Sequence, residues 1–467
     1  MTKAKNSRRW QQPVLFLAII GGCILLGLWL IARPKAATPF PTSRDKYTWP
    51  FSRYSPWNMP IGDKADLKPA GLPNNYPEFV IETNFISVDQ SAPVKTATNT
   101  NSNQSYQVHV TNSLESAIGG KEGNFSGNKC AAFLNADNTT INMGQPAWFE
   151  GGSVKWAFEC SFQGDNGSGW SGPPITITGD GIRGCQGGSG MSGLGGAIRA
   201  GELSSDQPIR HALKILVYCH ETCAPYQNKG YRWPAVKADD YWQHGNNSWC
   251  PQCGPQNYAG NVPDVTMGSL LTLKADEDLS WVTDPRAKKV AEAIKTYGIY
   301  IVDDSATNKF HIAADVETMM QDFGGDSFLS NSTNRTFRDE LLALMPKLQV
   351  VANNAPTAIG GGGNPRACLA PPFNNGTDEI AANPNGAVQE PAGCSGGTVA
   401  TPTPTALPSG TDNPGDIDGD GHATFTDLTI LVVNYKKTGV SRQQGDLDGD
   451  GTVTIFDLSR LVKYWGT

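Results

Sequence analysis

Apolar positions follow three rhythms along the chain. Residues 14–32 form one uncharged, mostly apolar run. The middle carries short alternating pieces between turn clusters, at 78–82, 105–110, 153–158, 174–178 and 213–218. Alternation of this kind predicts half-buried β-strands, here an antiparallel β-sandwich or jelly-roll-like barrel. The rhythm then turns helical. Asp284 as N-cap, Pro285 behind it and Gly298 as a stop predict a helix over 284–297. A strand at 299–302 follows and delivers Asp303 and Asp304. Two more helices are predicted over 312–323 and 336–348. Near the end, Leu428, Leu431, Val432 and Tyr435, then Leu458, Leu461, Val462 and Trp465, mark one face of each of two helices.

Charge orients the first run. Lys3, Lys5, Arg8 and Arg9 precede it, and only Arg33 and Lys35 follow closely. A helix over 14–32 approaches the ~30 Å of a bilayer core, and the cationic flank places the N-terminus in the cytoplasm and the rest outside. The run reads as an uncleaved membrane anchor. The alternative is a secreted protein, cleaved as a signal peptide near Lys35-Ala-Ala. The expected order is a cytoplasmic tail and anchor (1–35), a Pro/Thr-rich spacer (36–46), an extracytoplasmic β-rich body (47–351), a Gly/Pro/Thr-rich linker (352–414) and a small module (415–467). In 467 residues, 52 Gly and 32 Pro favour a loop-rich β body over a helical one. A net charge of −7, with many acids in the last module, excludes a nucleic-acid binder.

That module holds one pattern twice. Asp416, Asp418, Asp420, His422, Thr424 and Asp427 recur as Asp446, Asp448, Asp450, Thr452, Thr454 and Asp457. Oxygen side chains at positions 1, 3, 5, 9 and 12 of a loop, a backbone carbonyl at 7 and Gly at 6 wrap a Ca²⁺ ion. Two calcium sites are therefore expected. Asp412-Asn-Pro-Gly before the first loop cannot form the entry helix of a full EF-hand. This loop–helix duplication resembles the dockerin family, the calcium-dependent docking modules of cellulosomal and related secreted enzymes. The resemblance implies a small all-α module and a cohesin-like partner. The chain departs from the family in carrying Thr424 and Thr454 at position 9 and bulky pairs, Phe425-Thr426 and Ile455-Phe456, where partner choice is set.

In the body, Cys219 and Cys223 and then Cys250 and Cys253 form close pairs, which fit disulfides outside the cytoplasm or a zinc site. Cys368 and Cys394 can close a loop. The Gly-rich segment 187–196 lacks the context of a nucleotide fingerprint and suits close backbone approach to a sheet or ligand. His211 before an apolar strand, with Glu202 near it and Asp303 and Asp304 at a strand end, would suit acid/base chemistry on a sugar. Adjacent Asp side chains point to opposite faces, so one of the two would face such a site. Trp148, Trp156, Trp170, Trp233, Trp242 and Trp249 are either sugar-stacking platforms or core. Ser55-Pro-Trp57-Asn58, Ile209-Arg-His211-Ala-Leu and Tyr297-Gly-Ile-Tyr-Ile-Val-Asp303 look like motifs of a family of secreted bacterial proteins of unassigned activity, over residues 50–306. Two readings follow. One is a surface enzyme, a glycoside hydrolase of polysaccharide catabolism. The other is a non-catalytic glycan-binding or scaffold protein.

Overall fold

The computed structural model describes residues 40–118, 128–159, 175–243, 257–325, 328–374, 378–394, 413, 415–418, 422–437, 440–447 and 452–465. The run at 14–32 lies outside them. Among the described residues no helix is long and apolar enough to cross a membrane. The chain divides into two units, residues 1–396 and 397–467.

The described strands of the first unit are β1 (Leu67–Pro69), β2 (Glu78–Ser87), β3 (Val94–Asn99), β4 (Ser105–His109), β5 (Ala131–Leu134), β6 (Thr140–Glu150), β7 (Ser153–Glu159), β8 (Ile175–Thr176), β9 (Arg183–Gln186), β10 (Leu213–Val217), β11 (Leu270–Thr272), β12 (Ile299–Asp304), β13 (Lys309–Asp315) and β14 (Gln349–Val351). Its helices are α1 (Asn112–Ile118), α2 (Cys219–Thr222), α3 (Pro285–Thr296), α4 (Val316–Asp322) and α5 (Arg335–Leu344). The mostly-β body stands as expected, but the antiparallel sandwich or jelly roll does not. Thirteen strands form one mixed sheet, ordered β1-β14-β11-β12-β10-β13-β2-β5-β6-β7-β3-β4, with β8 on β6. β10 runs parallel to β12, β2 parallel to both β13 and β5, and β3 parallel to β7. Alternation reports which face is buried, not strand direction. All residues of β10 and β12 are buried, as in parallel strands covered on both faces.

β2 joins the two halves. Its first seven residues pair with β13 and its last three with β5. The connection between β10 and β12 contains α3, as a parallel crossover requires. α3 starts as expected, with Asp284 Oδ1 accepting from the backbone N–H of Arg286 at 2.8 Å and of Ala287 at 3.3 Å. The helix expected over 312–323 is half strand. Residues 309–315 form β13 between β10 and β2, and only Val316–Asp322 is helical. Phe310, Ile312, Ala313 and Ala314 are all buried, so their spacing carries no amphipathic signal. Trp57, Trp148 and Trp156 are core residues, which removes Trp148 and Trp156 as sugar platforms.

Composition alone suggests a spacer at 36–46 and a linker from 352, yet residues from both stretches lie on the body. Arg44 is buried and bonds Pro371 O at 2.7 Å and Asp378 Oδ1 at 2.5 Å. Arg366 Nη1 donates to Leu273 O and Lys295 O at 2.9 and 2.8 Å. Cys368 and Cys394 form the expected disulfide.

The described α-helices of the second unit are α6 (Phe425–Val433) and α7 (Ile455–Lys463), around a small core of Ile417, Ala423, Leu431, Leu447, Val453 and Leu461.

Candidate functional site

The four residues expected to work on a sugar fall into two places. His211 precedes β10 and Asp304 pairs beside Val217 at its far end. At ~3.3 Å per residue that separates them by on the order of 20 Å. Glu202 and His211 are together. His211 Nε2 lies 3.0 Å from Glu202 Oε1, and Arg199 Nη2 lies 3.2 Å from the same oxygen. The other His211 nitrogen, Nδ1, meets Ala212 O at 2.8 Å. Burial alone would raise the Glu202 carboxyl, but His211 and Arg199 outweigh it and hold it down at about 2. This group lines an open cavity of about 670 Å³ together with Trp49, Arg210, Asp315 and Glu317.

Asp303 and Asp304 sit in a buried carboxyl cluster instead. The register between β10 and β12 slips, so that Ile215 pairs with Ile301 but Leu216 pairs with Asp303. The extra residue, Val302, turns Asp303 to the face that carries Lys214. There Asp303 Oδ1 accepts from Gly188 N at 2.7 Å, and Asn128 Nδ2 donates to Oδ2. Asp304 Oδ1 accepts from Cys219 N at 3.0 Å and Oδ2 from Tyr241 OH at 3.0 Å. Tyr258 OH donates to Asp239 Oδ2 at 2.7 Å. Burial pushes Asp239 up to about 7 and, with the charge of Asp239, raises Asp303 well above the usual carboxylate range. The Gly-rich segment fits against these groups as expected. A Cβ on Gly187 would lie 1.8 Å from Asp303 Cγ, and one on Gly188 would lie 2.3 Å from Asp239 Oδ1. Lys214 Nζ donates to Ser192 O and Gly193 O at 3.0 and 2.8 Å, and burial lowers it to about 7. No motif marked Asp239 or Asp315. Lys214 was visible only as one cation in an apolar strand.

Cys219 and Cys223 are bonded to each other, which takes them out of the zinc reading. Cys250 and Cys253 lie outside the described residues. Cys185 is also disulfide-bonded, and Cys130 is free, buried and pushed up to about 12 by burial.

In the second unit the two loops are built alike. Asp427 Oδ1 accepts from Ile417 N at 2.6 Å and Oδ2 from Thr424 N at 2.7 Å. Asp457 Oδ1 accepts from Leu447 N at 2.7 Å and Oδ2 from Thr454 N at 2.7 Å. Each loop thus ends in a carboxylate that ties its second and ninth positions to the start of a helix. Carboxylate oxygens of Asp416, Asp418 and Asp427 come within 4.8 Å of one another. Residues 414–466 match the model of the type I dockerin domain. This module is a dockerin. No curated protein and no solved structure matches the chain.

A dockerin binds Ca²⁺ and docks to a cohesin partner. The convergent carboxylates of the first loop, hard oxygen donors, fit that ion. In the second loop Asp446 and Asp457 are buried in the matching places. His422 and Thr452 hold position 7, while Asp420, Asp448 and Asp450 lie outside the described residues. The helix faces differ from expectation. Leu431 and Leu461 are buried, but Val432, Tyr435, Val462 and Trp465 are exposed. Two short helices that share one seam bury only a narrow stripe. Phe425, in one of the specificity pairs, is 73% exposed, so the dockerin presents an apolar surface beyond its own core.

Proposed function

We propose that this protein is held outside the cytoplasm on a cohesin-bearing partner by a dockerin carrying two calcium ions, and that its body there binds or breaks down a polysaccharide. The paired loops, each closed by a buried aspartate, carry the docking half. Asp416, Asp418 and Asp427 would hold one ion and Asp446 and Asp457 the other. The ions supply the charge that lets these carboxylates converge and the helices fold. The disulfides at Cys219–Cys223 and Cys368–Cys394 suit an oxidising compartment. Residues 14–32 would anchor the chain at the membrane.

For the body, the ionised Glu202 beside His211 on an open cavity favours the enzyme over the scaffold, with hydrolysis of O-glycosyl bonds as the reaction. Asp303 and Asp304, enclosed by their own partners, hold the Gly-rich segment in place rather than meeting a glycan. The test uses the full chain on an immobilised cohesin panel with Ca²⁺ or EDTA, followed by a reducing-end assay on polysaccharides. Capture that survives EDTA overturns the docking reading. Binding of a polysaccharide without release of reducing ends leaves the non-catalytic reading in place of the enzyme.

A further inference from the structure

The cavity beside Glu202 holds polar groups that the protein does not use. Asp315 is 4% exposed, and its Oδ1 has no hydrogen-bond partner among the described residues. Arg199 Nη1 is likewise buried and without a partner. Both residues line the cavity. The backbone fixes them side by side, since Asp315 N donates to Ile198 O at 2.7 Å. Burying such groups unbonded costs stability, so their retention over one cavity points to an outside partner.

The lining selects the partner's chemistry. Trp49 and Tyr47 give apolar ring faces. The Trp49 ring is set by its Nε1, which donates to Asn58 Oδ1 at 3.0 Å. The charges are largely answered within the protein. Arg199 and His211 turn to Glu202, and the hydroxyl of Thr111 donates to Glu317 Oε1 at 3.0 Å. Burial and the nearby Glu317 raise Asp315 above the usual carboxylate range, against the backbone N–H groups of Glu317, Ile86 and Val316 that hold it down. A cavity of about 670 Å³ admits a few linked rings. An aromatic wall, one free acceptor and one free donor do not call for a phosphate or an amine. They suit a neutral ring that bears hydroxyls.

We propose that the cavity bounded by Trp49, Arg199, Glu202 and Asp315 binds an uncharged saccharide, with a sugar ring on Trp49 and sugar hydroxyls on Asp315 and Arg199 Nη1. This rests on the polysaccharide reading above and holds whether or not a bond is cleaved. The full chain is titrated calorimetrically with cellohexaose, xylohexaose, mannohexaose and, as a charged control, hexagalacturonate. At least one neutral hexasaccharide binds, and Asp315→Asn weakens it about tenfold or more. The same variant keeps the parental fold, because the Asn side-chain oxygen can replace the carboxyl oxygen that meets the backbone N–H groups of Glu317, Ile86 and Val316. Trp49→Leu weakens the same ligand and serves as the second variant should Asp315→Asn fold poorly. Preference for hexagalacturonate, or parental affinity in both variants, overturns the site while leaving the body's polysaccharide function intact. No binding of any neutral hexasaccharide, alongside binding or cleavage of a polymer, likewise removes only the site. No binding of oligomer or polymer removes both.

Discussion

Gly187 and Gly188 set how closely two buried carboxyls approach one turn of backbone. Gly187 has φ +50°, in the left-handed region, and its missing side chain is the space that Asp303 occupies. Gly187→Ala is expected to destabilise the protein by ~1–3 kcal/mol or more through overpacking, read as a lower urea midpoint. Titration follows from the same cluster. Asp239 is raised in the folded state, so it contributes stability at low pH that is lost as pH rises from about 4 to about 7. Asp239→Asn flattens that stretch of the stability–pH curve. Glu202 is depressed, so its contribution is present above about 4.3 and is lost as pH falls towards about 2. A denaturation series in which Glu202→Gln keeps the parental acid limb would contradict this. At this scale the sequence spoke clearly only where residue type and spacing coincide. The dockerin's two aspartate loops were legible because side-chain oxygens at alternating positions around a Gly have few other uses. Asp239 and Asp315 were not, because their roles depend on burial, which a single Asp does not reveal.

At the scale of elements, local punctuation was the most reliable guide. Asp284, Pro285 and Gly298 bound α3 because caps act within a few residues. Pairing partners were less readable. The last four residues of β13 fall within the 312–323 pattern that predicts a helix, and the parallel neighbours of β2 come from distant parts of the chain. The slip at Val302 likewise depends on β10, some eighty residues earlier, so no local pattern announces that Asp303 changes face. The dockerin helices are a separate case, since α6 and α7 share one small core. Leu461→Ala is expected to cost ~2–5 kcal/mol and to weaken calcium binding at both loops, seen as a rightward shift of the whole Ca²⁺ titration. EDTA should remove most helical circular dichroism from a fragment spanning 397–467, because ion binding and folding are linked there.

For the whole molecule, composition proved an ambiguous guide to boundaries. Residues 352–394 are rich in Gly, Pro and Asn, yet Arg44, Arg366 and the Cys368–Cys394 bond tie that stretch to the body. Such residues serve a flexible linker and an irregular, well-packed coil equally well. Reduction of that disulfide is expected to lower the melting temperature of the body while leaving calcium-dependent capture by a cohesin unchanged, because capture belongs to the other unit.

The dockerin's two halves are also clasped to each other. Lys436 N donates to Val453 O at 2.8 Å, Val453 N donates to Lys437 O at 3.1 Å, and Ala423 bridges to Trp465. Gly415, at the entry to the first loop, lies against Tyr464 near the end of α7, where a Cβ would approach the Tyr464 Cβ to 2.9 Å. The strand of chain arriving from the body therefore reaches the dockerin beside the end of its last helix. A pull along that strand acts where the first and last segments are fastened together. The load meets a closed buckle rather than a free end that could peel one loop from the other.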